Sequence, residues 1–156
     1  PAMAGAQVMG VFSPNLTEPL ARVLGNLGCR HALVVHGLDG VDEISISGPT
    51  VISEMEDGLV HTYRVIPEDV GISRAPREYI RGGTKEENAA ITLAVLGGEK
   101  GPRRDVVLLN AAAALLAAGA VRSLREGVVM AEASLDSGAA LRALTSLQTL
   151  SRVLVA

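Results

Sequence analysis

Apolar residues recur along this chain in two periods, and their order predicts an α/β protein. Gln7-Val8-Met9-Gly10-Val11-Phe12 is a short, nearly continuous apolar run, the pattern of a strand covered on both faces. Ser13, Asn15 and Thr17 are helix-start residues, and Leu16, Leu20, Val23, Leu24 and Leu27 follow at three- and four-residue steps. Pro19 fits only near a first turn, so the helix begins around Leu16 to Glu18, and Gly28 ends it. Ala32-Leu33-Val34-Val35-His36 is the next buried strand. Strand, helix and strand at this spacing predict a parallel βαβ unit.

The period then changes. Glu43-Ile44-Ser45-Ile46-Ser47 alternates polar and apolar, as a half-exposed strand does. Val51 to Met55 and Leu59 to Ile66 flank Asp57-Gly58, a preferred tight-hairpin dipeptide, and Pro67 closes that unit. The segment from there through Pro76 is expected to be irregular. Thr84 and Glu87 have capping-box spacing and open a helix that runs to Leu96 and stops at Gly97-Gly98. Asp105 to Ala118 is apolar nearly all round and is expected to be a buried helix. Ser123 and Glu126 repeat the capping spacing, and Leu141, Leu144, Leu147, Leu150 and Leu154 mark one stripe of a terminal helix. The fold class is therefore α/β: a parallel βαβ sheet with an antiparallel hairpin extension, flanked by C-terminal helices.

Composition narrows the function classes. With 156 residues, 48% of them apolar, the chain suits one domain with an ample core, and no internal repeat or low-complexity linker suggests a second. Lys and Arg number 14 against 17 Asp and Glu, a net charge of −3, so the basic face needed for nucleic acid or an anionic membrane is not expected. Aromatics are 2% of residues (Phe12, Tyr63, Tyr79), which disfavours base-stacking platforms. The apolar stretch from Val106 to Val121 contains Asn110 and Gly119 and falls short of the roughly 20 residues a spanning helix needs. Cys29 is the single cysteine, so no internal disulfide forms. A cytoplasmic protein is the expectation.

Candidate chemistry concentrates in one turn. The buried strand ending at His36 gives way to Gly37-Leu38-Asp39-Gly40-Val41-Asp42-Glu43, beyond the carboxyl end of a strand, where open α/β sheets bind ligands. Three carboxylates within five residues repel unless they are solvated or joined by a cation, and carboxylates with phosphates and water are the usual Mg²⁺ ligands. On spacing alone a solvated acidic turn is the stronger interpretation, with Asp39 read as an ordinary solvated turn residue. Arg81-Gly82-Gly83-Thr84 could cradle an anion through exposed amides, although capping explains it equally well. Lys100-Gly101-Pro102-Arg103-Arg104-Asp105 reads as a basic, solvated loop leading into a helix. His36 reads as a hydrogen-bonded structural histidine, Cys29 has no neighbouring histidine to activate it, and His31 and His61 lack an evident partner.

Several blocks carry a family resemblance. Ala6 to Ser13, Val35-His36-Gly37, Gly40-Val41-Asp42-Glu43-Ile44, Gly82-Gly83 with Glu87-Asn88-Ala89-Ala90, and Gly98-Glu99-Lys100-Gly101-Pro102 with Val107 to Ala112 resemble the anthranilate phosphoribosyltransferases in order and spacing. The same fold occurs in pyrimidine nucleoside phosphorylases, the alternative within enzymes. The resemblance implies transfer of the phosphoribosyl group of phosphoribosyl pyrophosphate to anthranilate in tryptophan biosynthesis. It implies Mg²⁺ as cofactor, held at Asp42 and Glu43, with Glu43 the better placed to bridge a second ion. No residue here matches a catalytic base, and few of the family's substrate contacts can be carried over, because most have no counterpart in these residues.

Family members are considerably longer at the N-terminus, and Pro1-Ala2 resembles the end of a Gly-Pro-Leu-x-Asn-Pro-Ala stretch. Residues 1–156 are thus expected to be the C-terminal portion of the α/β domain. The N-terminal helical domain, the phosphate-binding loop and the homodimer contact of the complete enzyme would lie outside it. Alone, the chain is expected to be inactive: a fragment, or half of a split protein that needs the missing part or a partner chain.

Overall fold

The two strands of the predicted βαβ unit lie side by side. In the computed structural model, which describes residues 4–155, Ala6–Gly10 (β1) pairs in parallel with His31–Gly37 (β2), from Ala6 opposite His31 to Gly10 opposite Val35. Thr17–Asn26 (α1) connects them, entered through a 3-10 turn at Pro14–Leu16. Thr50–Glu56 (β3) and Leu59–Val65 (β4) form the hairpin extension, giving a sheet of order β1-β2-β3-β4 with its last two pairings antiparallel. Asp57 and Gly58 both have positive φ, 47° and 83°, as a tight hairpin turn of this twist requires.

The continuous apolar run of β2 reflects cover on both faces. Ala32 and Val34 pack with Ala21 and Leu24 of α1 and with Met55. Leu33 and Val35 point the other way, into a larger core with Ile52 and helical residues described below. β1 does not share this cover. It lies at the sheet edge with its side chains half-buried, and it stops at Gly10 rather than Phe12. Phe12 is 84% exposed, because the chain leaves the sheet for the turn at Pro14, whose ring supplies no ladder donor.

The second half is helical: Lys85–Leu96 (α2), Pro102–Ala117 (α3), Leu124–Asp136 (α4) and Ala139–Val155 (α5). The Thr84 box forms as its spacing predicts, with Glu87 N donating to Thr84 Oγ1 at 3.3 Å and Thr84 N donating to the Glu87 carboxylate at 2.6 Å. Ser123 caps α4 through Glu126 N, but the Glu126 carboxylate accepts from Arg122 N instead of returning to Ser123. α3 begins at Pro102, and it is not buried all round. Leu108, Leu109, Ala112, Ala113, Leu116 and Ala117 face the core, whereas Val107 and Ala114 are exposed. The stripe of α5 is half-buried at Leu141 and Leu144 and exposed at Leu147 and Leu150; the Leu154 side chain lies outside the described residues.

Two expectations fail for one physical reason: the backbone and charges find partners far away in sequence. Residues 43–47 do not form a strand, although Ile44, Ser45 and Ile46 are buried. Their backbone groups bond individually, Ile44 N and O to the Asn110 amide, Ser45 N to Thr50 Oγ1, and Ile46 O to Ala75 N. The expected irregular segment from Pro67 contains a 3-10 turn at Pro67–Val70, with another at Arg77–Ile80.

The basic run from Lys100 to Asp105, most of which forms the first turn of α3, is likewise not a solvated loop. Arg104 is only 1% exposed and joins α3 to α4, its guanidinium 2.7 Å from Asp136 and 3.1 Å from Glu132. Lys100 approaches the same two carboxylates at 3.4 and 3.6 Å. The hydrogen bond from Arg104 holds the Asp136 carboxyl below the usual range. A carboxyl depressed on folding stabilises the fold above its unfolded pKa of about 4 and loses that contribution as pH falls through the lower folded value. The unfolding midpoint should therefore fall as pH drops below about 4, and Asp136→Asn should start lower at neutral pH and lose less on acidification. Parallel thermal-melt curves for parent and variant would show that this pair carries no acid sensitivity.

Candidate functional site

The acidic turn sits beyond the carboxyl ends of β1 and β2, where sequence reasoning places it. Gly37 N donates to Val41 O and Gly40 N to Gly37 O, both at 2.9 Å, which folds 37–41 into a tight loop with Gly40 at φ 94°. The loop rests on the end of β1. A Cβ built on Gly10 would lie 1.6 Å from the Asp42 carbonyl oxygen, so only glycine lets the two backbones approach this closely. Next to it, His36 is buried and its Nδ1 lies 2.7 Å from Val11 O. A carbonyl only accepts, so Nδ1 carries the proton and His36 is the structural histidine expected.

Asp42 and Glu43 are exposed and have no hydrogen-bond or salt-bridge partner among the described residues. They form one wall of an open cleft of about 550 Å³ whose other wall is Arg77, Glu78, Ile80, Arg81 and Gly82. Arg77 Nη1 also reaches Asp39 O at 3.4 Å, tying the second wall to the turn. Asp39 is not the solvated residue its position suggests. It is half-buried, and its Oδ1 is buried without a partner beside Gly37.

The donor set fits Mg²⁺. Asp42 and Glu43 are adjacent, unpartnered hard oxygen donors, and among the described residues no group of three His, Cys, Asp or Glu side chains could hold a metal. Mg²⁺ commonly uses one or two carboxylates and completes its shell with water and substrate phosphates, so two suffice.

The glycine-rich candidate does not become an anion cradle. Gly83 N donates to Asn88 Oδ1 at 2.9 Å and Thr84 N to Glu87, which leaves these two amides occupied. Arg81 nevertheless enters the cleft, and Arg103 Nη2 braces it by donating to Arg81 O at 3.2 Å. His31 and His61 do have partners. His31 Nε2 lies 2.8 Å from Glu54, which also accepts from the Tyr63 hydroxyl at 2.9 Å, and the His61 ring stacks on Tyr63. Burial, with Glu54 beside it, pushes the Tyr63 phenol above its ordinary range. This group lies at the far end of β2 from the acidic turn. Sequence reasoning missed Gly10, Arg77 and Asn110 as parts of the site. Asn110 alone left a signal, as the one polar residue between Asp105 and Arg122.

The chain belongs to the glycosyl transferase family: the model of that family's a/b domain matches residues 1–141. Within it, the chain is similar to anthranilate phosphoribosyltransferases. It is 80% identical over 144 residues to the enzyme of Symbiobacterium thermophilum, covering 92% of this chain and 42% of that one. It is 55% identical over 140 residues to that of Moorella thermoacetica, covering 90% and 41%. The anthranilate phosphoribosyltransferase structure from Thermus thermophilus superposes with a TM-score of 0.86 at 46% identity, covering 94% of this chain and 43% of that one. The Saccharomyces cerevisiae enzyme in complex with PRPP and Mg gives 0.80 at 27%, covering 90% and 41%. The chain thus spans about two-fifths of the length of these relatives. No helix among the described residues is long and apolar enough to cross a membrane.

The close approach at Gly10 has a direct consequence. Gly10→Ala should lower the urea-unfolding free energy by about 1–3 kcal/mol, as overpacking against backbone does. A midpoint equal to the parent's would mean that the β1 end and Asp42 do not touch.

Proposed function

We propose that this chain is the C-terminal portion of the α/β domain of a longer, cytoplasmic anthranilate phosphoribosyltransferase. Its substrates are phosphoribosyl pyrophosphate and anthranilate, and its reaction serves tryptophan biosynthesis. The observation that carries this proposal is the pair Asp42 and Glu43, exposed and unpartnered on a cleft at the carboxyl ends of the parallel strands, in a chain 80% identical to such an enzyme. The helical domain, the phosphate loop and the homodimer contact are assigned to the remaining three-fifths of the polypeptide. A pyrimidine nucleoside phosphorylase is the weaker alternative, since the relatives described above are all anthranilate enzymes.

In the reaction the anthranilate nitrogen forms a bond to C1 of the ribosyl group as the bond from C1 to the pyrophosphate oxygen breaks. The electron pair leaves with pyrophosphate, so negative charge grows on the leaving group while C1 gains oxocarbenium character. Bound Mg²⁺ supplies Lewis-acid neutralisation of that charge. Asp42 and Glu43 would hold the ion. Arg77 and Arg81 face them across the cleft and offer guanidinium groups suited to phosphate oxygens. These residues orient and neutralise; they form no covalent intermediate. The amine proton is assigned to none of them.

In the longer polypeptide, Asp42→Asn and Glu43→Gln should each lower the rate at least about tenfold and raise the Mg²⁺ requirement. Unfolding free energy should stay within about 0.5 kcal/mol of the parent's, because both side chains are exposed. Glu56→Gln, exposed at the opposite end of β3, serves as control and should match the parent. Parental rates and Mg²⁺ dependence in both site variants would refute the metal assignment. The 156-residue chain by itself should leave anthranilate fluorescence unchanged in the presence of phosphoribosyl pyrophosphate and Mg²⁺, and turnover at an ordinary enzyme rate would overturn the assignment of the remaining parts.

A further inference from the structure

Asn110 is an unusual residue for its place. It interrupts an otherwise apolar helix, in the run Leu108-Leu109-Asn110-Ala111-Ala112, where Asn is a weaker helix former than its neighbours. Its amide is fully committed. Oδ1 accepts from Ile44 N at 2.9 Å, while Nδ2 donates to Ile44 O at 3.1 Å and to Val106 O at 3.0 Å. Only this orientation of the amide satisfies the N–H and the C=O of Ile44 together, so donor and acceptor are fixed by chemistry. The side chain acts as a one-residue substitute for a neighbouring strand, reaching 66 positions back along the chain.

Ile44 directly follows Glu43. Within the pair, the carbonyl of the peptide that joins Asp42 to Glu43 rests on Gly10. The pair is therefore held at two fixed points, a backbone contact at the peptide that joins its two residues and a two-point hydrogen bond at the residue after them. Their own carboxylates make no hydrogen bond or salt bridge among the described residues, so no polar partner within the turn sets their direction. We propose that Asn110 is a positioning residue for the Asp42–Glu43 cation site, fixing the direction in which both carboxylates face the cleft through its two hydrogen bonds to Ile44. This rests on the metal reading of that pair given above.

Without the amide, Ile44 N–H and C=O lose their partners inside the protein and the segment turns to find others. Groups that orient metal ligands from behind typically govern affinity by about 10–100-fold when removed. Asn110→Asp separates the two halves of the contact, since a carboxylate accepts from Ile44 N but cannot donate to Ile44 O.

The test uses the longer polypeptide and reads Mn²⁺ binding, with and without inorganic pyrophosphate, by electron paramagnetic resonance, together with hydrogen exchange at the Ile44 amide. Asn110→Leu should weaken Mn²⁺ binding roughly tenfold and speed Ile44 exchange selectively relative to the β3 amides. Asn110→Asp should weaken Mn²⁺ binding while retaining Ile44 N–H protection, and it keeps the test decisive if the leucine variant does not fold. Val128→Ala, a destabilising change in the core against α3, should leave Mn²⁺ affinity at the parental value. Parental Mn²⁺ affinity in both Asn110 variants overturns the positioning role while leaving the metal site standing. A parent that binds no Mn²⁺, with or without pyrophosphate, overturns the metal reading itself, and the positioning role with it.

Discussion

Backbone groups that enter a protein interior need partners, and at Ile44 both of them are met by one side chain from a helix 66 residues away. Much of the molecule is arranged around that constraint. The segment after the acidic turn can run beneath α3 without joining the sheet, which leaves β2 free to pair with β3. Ile44 and Ile46 then fill the core beside Leu108, Leu109 and Ile52, where a fifth strand would have needed ladder neighbours on a sheet side already taken. The turn is pinned to the helical layer and to the sheet at once, so its exposed carboxylates stand on a rigid base. Polar groups with fixed direction at a cleft act more strongly on a charged ligand than mobile ones, because their ordering has been met during folding.

The α3–α4 pair supplies the rest of that base. Gly127 packs so closely on α3 that a Cβ there would lie 2.8 Å from Ala112, and the small Ala112 and Ala113 allow the helices to meet. Arg104 then joins the same two helices near the start of α3, buried in its stem and charged at a half-exposed rim of Glu132 and Asp136. A buried guanidinium is tolerated because its charge is met by two carboxylates that remain partly in water, which limits the desolvation cost of the pair. The position of Asn110 along α3 follows from how these helices seat against the sheet.

Much of the fold was legible because its signals are local. Asp57-Gly58 fixes a hairpin through two positive φ values, and Thr84 with Glu87 fixes a helix start through two short bonds. The continuous run of β2 follows from cover on both faces by α1 and α3. What misled were patterns whose cause is distant. The alternation in 43–47 looks like a strand, yet a strand is defined by ladder partners, and here single bonds to Asn110, Thr50 and Ala75 replace the ladder. Arg104 reads as a loop cation because no local rule announces that Asp136 lies 32 residues on. The site shows the same division. Asp42 and Glu43 stood out as an acidic turn through the glycines and the strand end that precede them, while spacing alone favoured a solvated turn and the metal role came from the family resemblance. Gly10 and Arg77 did not stand out, since each matters only through a contact with the turn made in three dimensions.

The two walls of the cleft differ in net charge in a way that a plain solvated turn does not require. Asp42 and Glu43 lie on one side, Arg77 and Arg81 with Glu78 on the other, and neither Asp42 nor Glu43 is paired with either guanidinium. Five charged side chains of both signs lining one cleft would ordinarily collapse into salt bridges if the backbone allowed it. The turn is held by Gly10 and Asn110, while Arg103 braces the opposite wall at Arg81 O and Asn88 holds it at Gly83, which keeps the walls apart. A ligand that suits such a lining carries both signs itself, a phosphate group presented to the arginines with a cation presented to the carboxylates. Either wall alone would favour one ion of one sign. Held open together, they match what the proposed function asks for, a phosphate ester that arrives with its metal.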